Sequence, residues 1–412
     1  MRNIYKNIAS LSLLQVANYL IPILVIPIIT RVLGVELFGK VSYAQNIVTY
    51  LTLLVNYGFE FSATRQIALC CNDEQKRKQI FWSVMLVKSV LLVISFVLLA
   101  LLTTFVPRLH EDSVLYWCTA LINVGIVLFP TWFLQGVQQM DKMAAINFFI
   151  KLLGAVLVVS LVRYAYQYRL YPLLLSLAGM IGGVVALAYV IRKFSLYPIK
   201  IGAKSLKEVL KDGAPIFLNQ IFISMYTTAN LTILGFYLSD TEVGYFAGAQ
   251  KIMMVANMCV ILPVSTAIFP EMSKRWEEDN YVGERYFRKV LCYAGMVGFL
   301  LSTLLYILSP WLVSLFLGED FVNSVLLLKW MSFVPALIMI ATILTVQGLY
   351  GHGLQRYAPW VGLGVGVICV SMNMTLIPRY GEYSCVVSMM VAEMLEIIIV
   401  GCILAVNKRK SI

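Results

Sequence analysis

Charge is scarce in this chain. Only 13% of its 412 residues are Asp, Glu, Lys or Arg, where soluble domains carry roughly a quarter. With 60% hydrophobic residues and a mean hydropathy of +0.83, that scarcity excludes an ordinary soluble globular protein. Histidine is nearly missing: His110 and His352 are isolated, so neither a histidine metal site nor a histidine-centred acid–base cluster has its side chains. The eight cysteines include no Cys-x-x-Cys pair and most sit in apolar runs, which leaves no disulfide framework and no thiolate metal site. There is no Gly-Lys-Ser/Thr phosphate loop, no His-Glu-x-x-His and no nucleophile elbow. Loops on one side are too short for an extramembrane catalytic domain. The expectation is therefore a non-enzyme without cofactor or metal, driven by an ion gradient, the membrane potential or the substrate gradient.

What the chain has is long apolar runs. A hydrocarbon core needs roughly 20 apolar residues per helical span, and breakers place twelve spans near 10–33, 41–63, 80–106, 114–135, 144–162, 170–191, 214–238, 243–267, 290–309, 328–350, 357–377 and 384–406. The fold class is an all-α polytopic membrane protein. No small-residue cleavage site precedes Arg31, so the first run is expected to remain as a membrane helix. The net charge of +11 does not point to nucleic acid. Of the 32 Lys and Arg residues, 22 fall in loops on the N-terminal side and 6 on the other, a positive-inside bias that puts both termini in the cytoplasm. The longest polar interval, 192–213, holds Ser205 and Glu208 at capping-box spacing and predicts a short amphipathic surface helix.

Two internal echoes divide the chain. RVLGVELFGKVSYAQNI at 31–47 turns through Gly34 and Gly39, and Gly39, Ala44, Gln45 and Ile47 recur 205 positions later as Gly244, Ala249, Gln250 and Ile252. Gln135-Gly136 near the end of the fourth span recurs as Gln347-Gly348 near the end of the tenth, 212 positions on. Two matches in the same order indicate a duplicated six-helix unit. Six is even, so the halves, 1–200 and 201–412, are expected to be parallel six-helix bundles around a central cavity.

Ionisable groups within spans are costly and face a protein interior or aqueous cavity by default. Lys88, Lys151 and Lys251 fall within spans three, five and eight, where they either line a cationic cavity or snorkel to an interface. Such a cavity suits an anion such as a pyrophosphate, for which an ammonium is a point charge. Arg31 and Arg65 fall near span ends. Glu60 ends span two, while Glu393 and Glu396, one turn apart in span twelve, either pair with a basic group or relay a proton or cation. Gln45, Gln135, Gln250 and Gln347, with Gln15, Asn18, Asn219 and Gln220, are neutral groups that glue helices or meet a polar passenger. Pro22, Pro27, Pro215, Pro263 and Pro335 mark candidate bends. Gly179, Gly182, Gly183, Gly362 and Gly366 predict close helix contact.

Several stretches in order resemble Wzx-type polysaccharide flippases of the multidrug/oligosaccharidyl-lipid/polysaccharide (MOP) exporter superfamily. They are RVLGVELFG at 31–39, WFLQG at 132–136, KEVLKDGAPIFLNQ at 207–220, VGYFAGAQKI at 243–252 and NMTLIPRYGEYS at 373–384 followed by Glu393. The resemblance covers nearly the whole chain. It implies a flippase that moves undecaprenyl-diphosphate-linked oligosaccharide repeat units across the bacterial cytoplasmic (inner) membrane by alternating access, coupled to H⁺ or Na⁺. Membrane lipid, polysaccharide polymerase and chain-length machinery are the implied partners. In related lipid II flippases a basic residue matters in the segment matching Ala249-Gln250-Lys251, which makes Lys251 the first substrate-binding candidate. The chain has no Arg in the first span ahead of Arg31 and no extra helix pair, departures that favour the O-antigen or capsule branch. The expected substrate-binding set is Lys251, Lys88, Lys151, Arg31, Arg65, Gln45, Gln250, Gln135 and Gln347; the expected ion-coupling set is Glu393, Glu396 and Glu60. The near alternative is a drug or metabolite cation antiporter of the same superfamily, which needs an acidic lumen. The remote one is a membrane polymerase or acyltransferase, which needs a catalytic cluster.

Overall fold

The computed structural model describes residues 2–70, 73–278 and 280–410, all helix or short connection, with no strand among them. The side chains of Gln15, Asn18 and Pro263 lie outside the described residues. Nine helical stretches among the described residues are long and apolar enough to cross a membrane. The chain separates into two compact units, Met1–Ile221 and Phe222–Ile412.

The first unit begins with α1 (Arg2–Asn56), which joins the first two expected spans. It runs helically through Pro22 and Pro27, and its break is at Gly34, whose φ of 69° and ψ of 178° lie in a region essentially closed to residues with a Cβ. Gly39, expected in the same turn, is helical and buried. Then follow α2 (Phe59–Leu69), α3 (Glu74–Phe105), α4 (Ser113–Ala120), α5 (Ile122–Leu128), α6 (Thr131–Gly136), α7 (Met140–Leu161), α8 (Leu170–Lys193) and α9 (Ala203–Thr227).

Spans two and four are each broken. Tyr57 and Gly58, at φ 46° and 79°, separate α1 from α2, and Phe129-Pro130 separates α5 from α6, because proline has no N–H to continue the ladder. The two half-helices beyond the breaks, α2 and α6, pack on each other. The Thr64 hydroxyl donates to the Trp132 carbonyl at 3.0 Å, and a Cβ on Gly136 would sit 2.7 Å from Ile67 side-chain atoms. α9 closes against the first break: Gly213 packs on the Tyr57 carbonyl, Phe217 stacks on the Tyr57 ring at 4.7 Å, and Asp212 accepts from Gln66 at 2.7 Å. The polar stretch before span seven is therefore not a separate surface helix. Residues 203–213 are the first three turns of α9, and the Ser205 hydroxyl accepts from Gln79 instead of capping.

Facing is resolved on α3. Phe81, Val84, Lys88, Leu91, Ser95 and Leu99 are buried at helical spacing, while Leu86, Val90, Val93, Val97 and Leu101 are exposed. The outward row is as apolar as the inward one, as a surface facing lipid tails requires. Phe81 anchors the core of this unit, 5.8 Å from Trp132 and 5.3 Å from Phe133. Gly125 and Gly183 bring α5 and α8 into backbone contact, and Gly182 lies against Ile150 of α7. Outside the spans, buried Asp112 pairs with Arg169 at 2.8 Å and accepts from the Tyr168 hydroxyl at 2.8 Å. Burial, and then that bond, pushes the Tyr168 phenol above its usual range.

The second unit holds the last turns of α9, then α10 (Ala229–Tyr237), α11 (Asp240–Glu278), α12 (Asn280–Phe316), α13 (Asn323–Met331), α14 (Val334–Thr342), α15 (Ala358–Tyr380) and α16 (Tyr383–Lys410). Span ten is divided into α13, α14 and a π-helical segment, Ile343–Leu349, with the first division just ahead of Pro335. The core of this unit gathers Met272, Phe287, Met339, Ile343, Val365 and Val400. Gly366 meets Met225 and Gly362 faces Phe222, the small-residue contacts expected from the sequence.

Glycine substitution tests this packing in both directions. Gly136→Ala forces a methyl into Ile67 and is expected to destabilise by about 1–3 kcal/mol. Gly295→Ala, in α12 with nothing within 4 Å of its Cβ position, is expected to stabilise by about 0.5–1 kcal/mol. Thermal unfolding of the purified chain in detergent should move the two midpoints in opposite directions; equal shifts would contradict the half-helix packing.

Candidate functional site

The polar groups inside the spans fall into four sets, two in each unit. The first lies at the two breaks of the N-terminal unit. Lys88 is 1% exposed. Its ammonium donates to Asn56 Oδ1 at 3.3 Å, at the last residue of α1, and to the Ile126 carbonyl at 3.4 Å. In a helix the Ile126 carbonyl accepts from residue 130; here that residue is proline, so Lys88 supplies the missing donor. The Glu60 carboxylate acts electrostatically on the ammonium and accepts from the Thr131 hydroxyl at 2.6 Å. Lys88 and Glu60, expected in substrate binding and ion coupling respectively, thus lie within electrostatic reach of each other, without a direct ion pair. Lys88 does not snorkel, and its contacts are all within the protein.

The second set is separate from the first. Lys151 on α7 is half-buried and has no hydrogen-bond or ion-pair partner among the described residues. Gln45 on α1 is half-buried and lies within electrostatic reach of the Tyr171 hydroxyl on α8. Gln135 is half-buried on α6. Arg31 and Arg65 are exposed, and Arg31 donates to the Pro27 carbonyl at 3.4 Å.

In the C-terminal unit the third set surrounds the π segment. The Thr345 hydroxyl donates to Glu396 Oε1 at 2.9 Å. Glu393 lies one turn before Glu396, and Tyr226 and Tyr350 are within electrostatic reach of the pair. Neither carboxylate has a basic partner among the described residues. Gln347, 1% exposed, is on the same wide turn. A π-helical turn widens the ring of backbone hydrogen bonds and recurs at functional sites. Lys251 and Gln250, half-buried and adjacent on α11, complete the expected residues.

The fourth set is one that sequence reasoning did not single out. Asn373 donates to Asn230 Oδ1, the Ser388 hydroxyl donates to Asn373 Oδ1, and Asn230 donates to the Tyr226 carbonyl. All three side chains are fully buried and join α10, α15 and α16. Only Asn373 carried any signal, as part of the NMTLIPRYGEYS stretch. Asn56, Thr131 and Thr345 were missed as well. The proline after Phe129 was a signal for a freed carbonyl, but nothing in the sequence indicated which donor would reach it.

Residues 4–276 match the family described as polysaccharide biosynthesis protein. The chain is 27% identical over 390 residues to a protein of Escherichia coli (strain K12), covering 95% of this chain and 94% of that one. It is 30% identical over 399 residues to one of Shigella dysenteriae, covering 95% and 98%. Both carry the name "Putative O-antigen transporter". Among solved structures, an inward-facing multidrug resistance MATE family transporter of the MOP superfamily superposes with a TM-score of 0.72 at 16% identity, over 98% of this chain and 100% of that one. The lipid II flippase MurJ in an inward closed conformation does so with a TM-score of 0.71 at 14% identity, over 94% and 86%. Those two likenesses establish the fold, an all-helical polytopic membrane transporter fold, and the sequence matches establish the family: the chain belongs to the polysaccharide biosynthesis protein family.

Proposed function

We propose that this membrane protein flips polyprenyl-diphosphate-linked oligosaccharide repeat units between the leaflets of the bacterial inner membrane by alternating access. The observation that carries the reading is the end-to-end similarity to two proteins named as O-antigen transporters. The chemistry agrees with it. Lys151 is an ammonium at membrane depth with no carboxylate beside it among the described residues, a group for which an anionic passenger supplies the counter-charge. Lys251 on α11 is a second ammonium within a span and the first choice for the diphosphate. Gln45, Gln135, Gln250 and Gln347 offer hydrogen bonds to sugar hydroxyls, and Arg31 and Arg65, both exposed, attract the anionic head group. Lys88 is left out of the binding set, because its ammonium already serves Asn56 and Ile126.

Energy enters, in this reading, through Glu393 and Glu396. One turn apart and within electrostatic reach of each other, they offer a place for one proton or monovalent cation, and Thr345 of the π segment orients Glu396. Glu60, expected in the same role, has the Lys88 ammonium within electrostatic reach instead. The charge bias of the loops supports cytoplasmic termini, and the duplicated markers support six-helix repeats with halves at 1–200 and 201–412.

Two measurements test the assignment. Lys251→Ala, and independently Lys151→Ala, should abolish surface polysaccharide in cells that depend on this chain, with protein in the membrane unchanged. Normal polysaccharide in both variants would remove the lysines from the binding set, and drug resistance on overexpression without a polysaccharide defect on deletion would favour the cation antiporter. Glu396→Gln should slow gradient-driven transport by about tenfold or more, corresponding to a lost charge-assisted contact of about 1.5–3 kcal/mol. Full rate with undiminished dependence on the ion gradient would exclude Glu396 from coupling.

A further inference from the structure

We infer that the cluster at the breaks of spans two and four is a monovalent-cation site that the protein fills with its own Lys88 ammonium. The site has the parts such a cation needs. Asn56 Oδ1 and the Ile126 carbonyl are acceptors at 3.3 and 3.4 Å from Nζ. Both belong to the C-terminal ends of helices, α1 ending at Asn56 and α5 at Leu128, where the backbone dipoles present partial negative charge. Glu60 completes the charge balance, and the Thr131 hydroxyl fixes the carboxylate from the far side of the second break.

The residues come from both sides of both breaks. Asn56 and Glu60 flank the Tyr57-Gly58 turn; Ile126 and Thr131 flank Phe129-Pro130. A cation held by Asn56 and Ile126, with Glu60 in electrostatic reach, therefore acts on both breaks at once. Lys88 reaches it from α3, which is unbroken for 32 residues. A continuous helix thus holds two discontinuous ones by a single charge. The hydrocarbon core contains no water to satisfy the carbonyl that Pro130 leaves free, and Lys88 is the group that satisfies it. Lys88 is accordingly a positioning residue for the half-helices α2 and α6. This inference does not depend on what the protein transports.

The test is chemical rescue of the full-length chain in detergent, read as a thermal midpoint. Lys88→Ala removes three methylenes and the ammonium, the equivalent of propylammonium. The variant should melt lower than the parent by about 5 °C or more. Added propylammonium should restore the midpoint saturably, while propanol and tetramethylammonium should not. Adding Glu60→Gln to Lys88→Ala should weaken the rescue at least about tenfold in propylammonium concentration. Lys88→Met, which fills the same volume without charge, covers the case in which the alanine variant does not fold: it should melt well below the parent, and Lys88→Arg should recover much of the loss. Rescue by propanol as effective as by propylammonium, or a Lys88→Met midpoint equal to that of the parent, would reduce the cluster to packing and overturn the inference.

Discussion

A backbone carbonyl in hydrocarbon has no water to turn to, and that constraint governs where this chain can interrupt its helices. An unbroken span satisfies the constraint by itself. Spans two, four, seven and ten do not, and in spans four and ten a side chain or a change of helix type meets the interruption. Lys88 takes the Ile126 carbonyl that Pro130 abandons. Thr64 reaches the Trp132 carbonyl, and in span ten the ladder shifts to π geometry from Ile343 to Leu349. Breaks in membrane helices are where packed segments can swing with little loss of internal bonding, so these positions are the natural candidates for joints.

The two units answer the constraint with related chemistry and opposite charge balance. Each places a glutamate against a threonine of the span that carries the Gln-Gly marker, Glu60 on Thr131 and Glu396 on Thr345. In the first unit an ammonium is within electrostatic reach of the glutamate. In the second, Glu393 is the neighbour instead, and no basic group is within reach among the described residues. In the proposed function, a unit with an internal cation needs no external one, whereas two carboxylates offer a site for one. This difference explains why ion coupling is assigned to the C-terminal unit although the sequence offers a carboxylate in each.

Composition and run length made the all-helical membrane class legible, and the Gln-Gly and Gly-Ala-Gln echoes pointed to a repeat. The helix breaks were only partly legible. Pro130 and Pro335 mark two of them, but Pro22 and Pro27 lie in continuous helix, because a proline costs one hydrogen bond and a neighbour decides whether the helix must stop. Gly34 and Gly39 look alike in sequence, yet only Gly34 takes a backbone conformation that demands glycine. Facing was hidden since both faces of α3 are apolar, so Lys88 could be placed on the inner row only by its neighbours Phe81, Val84 and Leu91. The Asn230–Asn373–Ser388 network was invisible for a different reason: its members are 15 to 158 positions apart, and neutral polar residues carry no periodic signal.

In the proposed function this fold moves a lipid-linked diphosphate oligosaccharide from one leaflet to the other. The most direct measurement places a polyprenyl-diphosphate oligosaccharide in the outer leaflet of vesicles containing the full-length protein and follows its accessibility to a membrane-impermeant lectin. The account predicts that the lipid becomes protected as it redistributes to the inner leaflet, at a rate that rises with protein content and with an imposed ion gradient. Accessibility unchanged from that of protein-free vesicles, with active export of a small organic cation by the same preparation, would contradict it.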